Sequence, residues 1–326
     1  MQQKTDTQSK HVRFRIGTRG SPLALAQAED VKARLIAAHA DLDSETVEIV
    51  IISTSGDRIL DRNLMQAGGK GLFTKEIEDQ LLEGRIDLAV HSSKDMPTKL
   101  PEGLELAVFL PREDSRDVFI SPRAASLGKL PQGATVGTAS LRRRAQTLRL
   151  RPDLEVITFR GNVQTRLRKL DAGEADATFL ALAGLNRLGM ADVATSTLAE
   201  DVFLPAPAQG AVTIEICTDN DAVRARIAPL HCPVTATEVQ AERAFLAALD
   251  GSCRTPIAGR ARVIDGKLIL RGAVYSIDGQ SHYSVQQTGT PDAATQVGDQ
   301  AGKQLREQAG PVFFEALARD IEALLE

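Results

Sequence analysis

The sequence has no tryptophan, no segment of low complexity and no short-period repeat. No apolar run reaches the roughly 18 residues that a bilayer-spanning helix needs, so no such helix is expected. Residues 1–10 are polar and lack the apolar core of a secretory signal, and they read as a disordered leader. Cysteine is scarce: Cys217, Cys232 and Cys253 are odd in number, far apart, and show neither Cys-x-x-Cys spacing nor a nearby histidine pair. That argues against both a disulfide framework and a zinc site, so no metal is expected. A reduced, cytoplasmic protein fits best. Bulk positive charge is also lacking. The formal net charge is −4 and the pI about 5.8, which argues against general affinity for nucleic acid. Any anion site must therefore come from local clustering of arginine and lysine.

What is present is a rhythm of short apolar strands and amphipathic helices. Val12, Phe14 and Ile16 alternate as in a strand. Ser21 and Pro22 suit the N-cap and first position of a helix, along which Ala24, Ala28, Val31 and Leu35 recur. A buried-type strand is expected at 47–52, a helix at 72–82 and a strand at 86–91. The rhythm repeats, with strands near 118–121, 136–137, 154–159 and 177–180 and helices starting at Leu141 and Val163. Alternation of this kind implies mostly parallel sheets covered on both faces. Residues 204–210 form a stiff, Pro-rich crossing, and the strand after it is expected to return to the first sheet.

The last third differs. Thr235-x-x-Glu238 reads as a capping box opening a helix through Leu249. Three strands follow, near 258–263, 267–275 and 281–288, with Asp265-Gly266 and Asp278-Gly279 as hairpin turns. Two helical stretches end the chain. The expected fold class is α/β, with domain 1 at 12–111 and 211–230 and domain 2 at 112–207. A C-terminal α+β domain with a three-stranded antiparallel sheet occupies 233–326.

Ligands of open α/β sheets bind beyond the carboxyl ends of the strands. The loops there carry Arg19 and Ser21; Ser92, Lys94 and Asp95; Thr138, Ser140, Arg142 and Arg143; and Arg160 and Arg166. Lys70 lies in a Gly-Gly-Lys-Gly run before a helix. Arginine presents a planar fork to carboxylates, and helix N-termini favour anions. Together they suggest a cleft for a polycarboxylate. Each alone has a plainer reading. A single arginine can be a solvated charge, and the Gly-Gly-Lys-Gly run lacks P-loop spacing and can be a turn. Arg142, Arg143 and Arg144 cannot all face one way on a helix. Asp95 is either a turn or cap residue or a carboxylate facing a cationic intermediate. Cys253 sits in a loop beside Arg254, which favours an exposed, ionisable thiol over inert core; Cys217 and Cys232 read as structural.

Eight segments, taken together, resemble the hydroxymethylbilane synthase (porphobilinogen deaminase) family. They are Thr18-Arg-Gly-Ser-Pro-Leu-Ala-Leu-Ala-Gln27, Gly68-Gly-Lys-Gly-Leu-Phe73, His91-Ser-Ser-Lys-Asp-Met-Pro97, Arg112-Glu-Asp-Ser-Arg-Asp117, Val136-Gly-Thr-Ala-Ser-Leu-Arg-Arg-Arg144, Arg160-Gly-Asn-Val-Gln-Thr-Arg166, Leu182-Ala-Gly-Leu-Asn-Arg-Leu-Gly189 and Gly251-Ser-Cys253. They run in the family's order over roughly residues 12 to 290. One departure is Ala208, where the family commonly has glycine.

The resemblance implies two doubly wound domains like those of type II periplasmic binding proteins, joined by two crossing segments. It implies a dipyrromethane cofactor held through a thioether to Cys253, with Lys70, Lys94, Thr138, Ser140, Arg142 and Arg143 around it. Arg19, Ser21, Gln27, Phe73, Ser92, Arg160, Arg166, Arg187 and Gln209 would bind substrate, and Asp95 would be catalytic. Porphobilinogen would lose ammonia to give a cationic electrophile, which the free α-carbon of the terminal pyrrole attacks. Four such cycles and a hydrolysis would release hydroxymethylbilane. No metal or nucleotide is implied, a monomer is the default, and uroporphyrinogen-III synthase is a downstream partner through the pathway alone. The rival class is a two-domain anion-binding protein of the solute-binding type, or a regulator's sensor domain. Neither would need Asp95 or a modified cysteine; the first lacks a signal peptide and the second a DNA-binding segment.

Overall fold

The computed structural model describes residues 14–58, 74–252 and 255–324. In the first α/β unit, β1 (Phe14–Arg19) leads to α1 (Pro22–Ala38), then β2 (Val47–Ile52), α2 (Ser55–Arg58), α3 (Lys75–Leu82), β3 (Leu88–Ser92) and β4 (Leu104–Phe109). Ser21 caps α1, its hydroxyl accepting from the Ala24 amide, with Pro22 next. The α1 face bearing Ala28, Val31 and Leu35 is buried against one side of the sheet. Ile77 and Leu81 of α3 cover the other side.

The second unit runs β5 (Asp117–Ile120), β6 (Thr135–Gly137), α4 (Leu141–Leu150), β7 (Glu155–Ile157), α5 (Val163–Asp171), β8 (Ala177–Ala181), α6 (Leu182–Arg187) and β9 (Ser196–Thr197). The chain then returns through β10 (Val212–Cys217) and α7 (Asp221–Ile227). The two sheets have matching orders, β2-β1-β3-β10-β4 and β7-β6-β8-β5-β9. In each, the fourth strand runs antiparallel to its neighbours. That strand is also the one the chain enters from the other unit. Because it is reversed, its first residues lie at the carboxyl ends of the parallel strands: Asp117 is opposite Ala181, and Val212 opposite Ser92. Both crossings therefore open into the cleft where ligands bind.

The third unit packs α8 (Pro233–Ala248) and α9 (Ala294–Ala323) on a meander of β11 (Ile257–Ile264), β12 (Lys267–Tyr275) and β13 (His282–Gly289). Asp265 and Gly266 form the two-residue turn between β11 and β12, both with positive φ. α9 breaks at Gly310, whose φ of 72° ends one helix before Pro311 begins the next.

Three expectations need correction. β2 is not a buried strand: only Val47 and Ile52 are buried and Ile51 is 61% exposed, because β2 is the edge of its sheet. Thr235 and Glu238 are not a capping box. The helix starts two residues earlier at Pro233, and the Thr235 hydroxyl accepts from the Arg112 amide. Glu238 pairs with Arg260. β4, absent from the sequence reading, forms the far edge of the first sheet. Val12, the leader, the start of the 72–82 helix and the Gly68–Phe73 run lie outside the described residues.

Candidate active site

The cleft side of the first unit is built from the ends of β1 and β3. Arg19 ends β1 and Ser21 caps α1. After β3, a single 3-10 turn, Ser93–Asp95, projects Lys94 and an exposed Asp95. Arg19, Ser21, Gln27, Ser92 and Asp95 line one small cavity together with Thr74 and His91. Gln27 is buried and donates to the Ser92 hydroxyl at 2.9 Å. Behind them, His91 and the fully buried Glu215 of β10 are 3.0 Å apart.

The facing side comes from the second unit. Ser140 caps α4, accepting from the Arg143 amide, and its own amide donates to the Thr138 hydroxyl at 3.2 Å. Both predicted hydroxyl residues thus serve the local turn. Asn162 caps α5, which carries Arg166. The α4 arginines divide in an informative way. Arg142 and Arg143 are both buried and converge on one carboxylate, that of Asp117, at 2.7 Å each. Consecutive helix residues start about 100° apart, but these long side chains bend to the same acid. Arg144 turns away and donates to the Val156 carbonyl.

Gln209, on the second crossing, joins the two sides. Its amide donates to Asp117 Oδ1 at 2.9 Å and to the Ser115 carbonyl at 2.7 Å. Its carbonyl accepts from Lys94 Nζ at 3.3 Å. Arg187, at the end of α6, donates to the Gly210 carbonyl at 2.8 Å. Gly210 has a φ of 89°, and a β-carbon there would meet the Glu113 carbonyl.

These groups sit in a field made mostly of cations and burial. Burial pushes the Lys94 ammonium down to about 8, with Arg143 and Arg142 adding to the shift and Asp95 and Asp117 opposing it. Burial brings Arg166 down to about 10, Arg143 and Arg160 lower it further, and Asp95 opposes. Arg160 and Arg187 are lowered for the same leading reason. Burial disfavours the Asp117 anion, yet Arg142 and Arg143 hold its carboxyl well below the usual range. The structure thus brings Lys94, Arg142, Arg143 and Gln209 into one bonded cluster, with Asp95, Arg160 and Arg166 in its field. Such a site can neutralise carboxylates of a ligand while keeping two of its own, the buried Asp117 and the exposed Asp95.

Sequence reasoning missed Asp117, which stood among three acids in Arg112–Asp117 with nothing to distinguish it. It also missed the buried Glu242 of α8. That carboxylate accepts from Arg112 Nη1 and Nη2 at 2.8 and 2.9 Å, from the Ala261 amide at 2.7 Å and from the Ala208 amide. The four-residue spacing of Glu238 and Glu242 on one helix face was the available signal. Cys253, Lys70 and Phe73 lie outside the described residues.

Comparison with known proteins adds the following. Residues 14–225 match the family model described as "Porphobilinogen deaminase, dipyromethane cofactor binding domain". Residues 236–307 match "Porphobilinogen deaminase, C-terminal domain". Curated proteins named porphobilinogen deaminase from Nitrobacter winogradskyi and Nitrobacter hamburgensis are each 57% identical over 303 residues, covering 93% of this chain and 96% of theirs. Among solved structures, a periplasmic substrate-binding protein of an ABC transporter from Coxiella burnetii is similar at a TM-score of 0.42 and 14% identity. It covers 69% of this chain and 94% of its own.

Proposed function

The chain belongs to the porphobilinogen deaminase family, and from that premise we propose that its interdomain cations hold the carboxylates of a pyrrole chain while Asp95 serves the chemistry. The enzyme is a transferase of tetrapyrrole biosynthesis. It deaminates porphobilinogen and joins four units head to tail on a dipyrromethane cofactor, releasing hydroxymethylbilane and ammonia. The solute-binding alternative finds no support in the family match.

The residues suit that cofactor. Each pyrrole bears an acetate and a propionate, so the cradle must present cations out of bulk water. Arg142 and Arg143 are buried, and the Nε of each has no partner among the described residues. Buried donors in that state leave room for an added acceptor, and a carboxylate is one that suits a guanidinium. Lys94, Arg142 and Arg143 would hold the cofactor, with Ser140 and Thr138 fixing the turn from which the arginines rise. Lys70 is assigned to the same cradle and Cys253 to the covalent attachment. When bound, the cofactor supplies the nucleophilic α-carbon to which the first unit is joined.

Arg19, Ser21, Ser92, Arg160, Arg166 and Arg187 form the substrate and chain side, with Gln27 acting through Ser92, Gln209 acting through Lys94, and Phe73 assigned to ring packing. Asp95 is the anion of this cationic site. Its carboxylate stabilises the positive charge that develops on the substrate as ammonia leaves, and its Oδ atoms take up and return the protons of each cycle. We take the domains as 12–111 with 211–230, 112–207 and 233–326; the pairing of β10 with β3 and β4 supports the first of these. A monomer in the cytoplasm is proposed, in keeping with free thiols at Cys217 and Cys232 and a described chain without a helix able to cross a membrane. The product would pass to uroporphyrinogen-III synthase.

The observation that carries the reading is the placement of Asp95 in the field of Lys94 and Arg166 at the cleft. The test is single-turnover ammonia release from Asp95→Asn holoenzyme of verified cofactor content. Asparagine keeps the shape and loses charge and basicity, so release should slow by at least about 10²-fold. A rate within a few-fold of wild type would return Asp95 to the status of a turn residue.

A further inference from the structure

Asp117 is the fully buried first residue of β5, at the point where the first crossing enters the second unit. Its two oxygens accept from three side chains: Oδ2 from Arg142 Nη1, and Oδ1 from Arg143 Nη2 and Gln209 Nε2. Each arginine has one further anchor. Arg142 Nη1 also donates to the Leu204 carbonyl at 3.0 Å, and Arg143 Nη1 to the Phe179 carbonyl at 2.8 Å. Arg142 is thus held through one nitrogen by two acceptors and Arg143 through both terminal nitrogens, and the Nε–H of each remains without a partner among the described residues. Gln209 extends the arrangement to Lys94 in the first unit.

A carboxylate whose only task was to neutralise buried charge would need one arginine. Here a single acid aligns two guanidiniums from consecutive helix positions and also grips the residue that binds Lys94. We propose that Asp117 is a positioning residue: it sets the angle and spacing at which Arg142 and Arg143 meet the carboxylates of the pyrrole chain, and through Gln209 it keeps Lys94 in register with them. This rests on the family reading of the cleft above. Asp117 itself meets no substrate, because it is fully buried behind the three donors. Its influence on catalysis passes through the arginines and Gln209.

Two variants test this. In Asp117→Asn an amide –NH2 faces one of the donors, so one arginine or Gln209 loses its acceptor. Asp117→Glu keeps the charge but moves it by one methylene. For each, cofactor content is read by intact mass, folding by thermal melting, and turnover per cofactor-bearing molecule by kcat and KM. The pyrrole-adduct ladder after limiting porphobilinogen is read by mass as well. Positioning predicts that Asp117→Glu folds and carries cofactor. Its kcat/KM per loaded molecule should fall at least fivefold, with adducts piling up at one length. Asp117→Asn should fall at least tenfold and load poorly. Per-molecule kcat/KM within twofold of wild type in Asp117→Glu, with a normal ladder, would overturn the proposal and leave Asp117 a charge balancer. Failure of both variants to fold would overturn it as well, assigning the residue to stability. Wild-type protein run alongside separates this from failure of the family reading, which would appear as a wild type without adducts.

Discussion

Glu242→Gln offers the sharpest test of how the third unit is fastened to the crossings. The buried carboxylate receives a bidentate pair from Arg112, whose backbone belongs to the first crossing, and the amide of Ala208 in the second. It also takes the Ala261 amide of β11, and Arg260 lies 3.3 Å away. Side-chain exposure of Arg112 and Glu242 is 5% and 0%, so water cannot replace what is lost. Glutamine matches the shape but turns one acceptor into a donor that meets N–H groups. Leaving one member of a buried pair uncompensated costs about 3–5 kcal/mol. At about 2.1 cal/mol/K per residue over 326 residues, each kcal/mol is worth roughly 1.5 °C, so the melting temperature should fall by about 4–7 °C. The Arg112→Gln, Glu242→Gln double variant should lose clearly less than the sum of the singles, because removing both charges strands neither. The assay is calorimetry with a double-mutant cycle. A Glu242→Gln shift under about 2 °C, or strict additivity, would refute the reasoning, since the estimate rests on burial of an uncompensated partner.

Two further outcomes are expected. Because burial brings Lys94 down to about 8, its charge is lost as pH rises through that value rather than near the ordinary value of about 10.4. Cofactor uptake by the apoprotein should therefore weaken above about pH 8, and Lys94→Arg, with a fixed charge, should lose that break; uptake that stays flat to about pH 9.5 would contradict it. Ala208 holds a φ of 61°, so Ala208→Gly relieves about 1–2 kcal/mol of left-handed strain. Against this stand about 0.4–1 kcal/mol of unfolded-chain entropy and about 0.8 kcal/mol for a buried methyl. The change should be near neutral, whereas Ala241→Gly, buried within α8, should cost about 2 kcal/mol. Equal losses in the two, measured by thermal melting, would sink the argument.

Much of this architecture was legible because it is written in local chemistry. Ser21-Pro22 marks a helix start, and Asp265-Gly266 marks a two-residue hairpin turn. The apolar strand after the Pro-rich crossing marks the return to the first sheet. The concentration of cations at strand ends was legible for a similar reason, since loops after parallel strands converge in space. What was not legible depends on long-range register. Asp117 is buried because β5 is reversed and starts at the cleft, while Asp114, three residues earlier, pairs with the partly exposed Arg116. Thr235 and Glu238 have the spacing of a helix cap, but Arg112 of the first crossing uses the one and Arg260 of β11 the other. Neighbouring arginines looked divergent on a helical wheel, and only the shared acid from a distant strand explains their convergence.

The central claim, a pyrrole-joining transferase whose cofactor is anchored at Cys253, is tested most directly by intact-protein mass spectrometry of the wild type and Cys253→Ala, before and after limiting porphobilinogen. The account predicts a wild-type covalent excess matching two pyrrole units, a ladder of further single-pyrrole additions once substrate is given, and neither in Cys253→Ala. An unmodified wild type that forms no ladder, or a two-pyrrole excess that survives in Cys253→Ala, would contradict it.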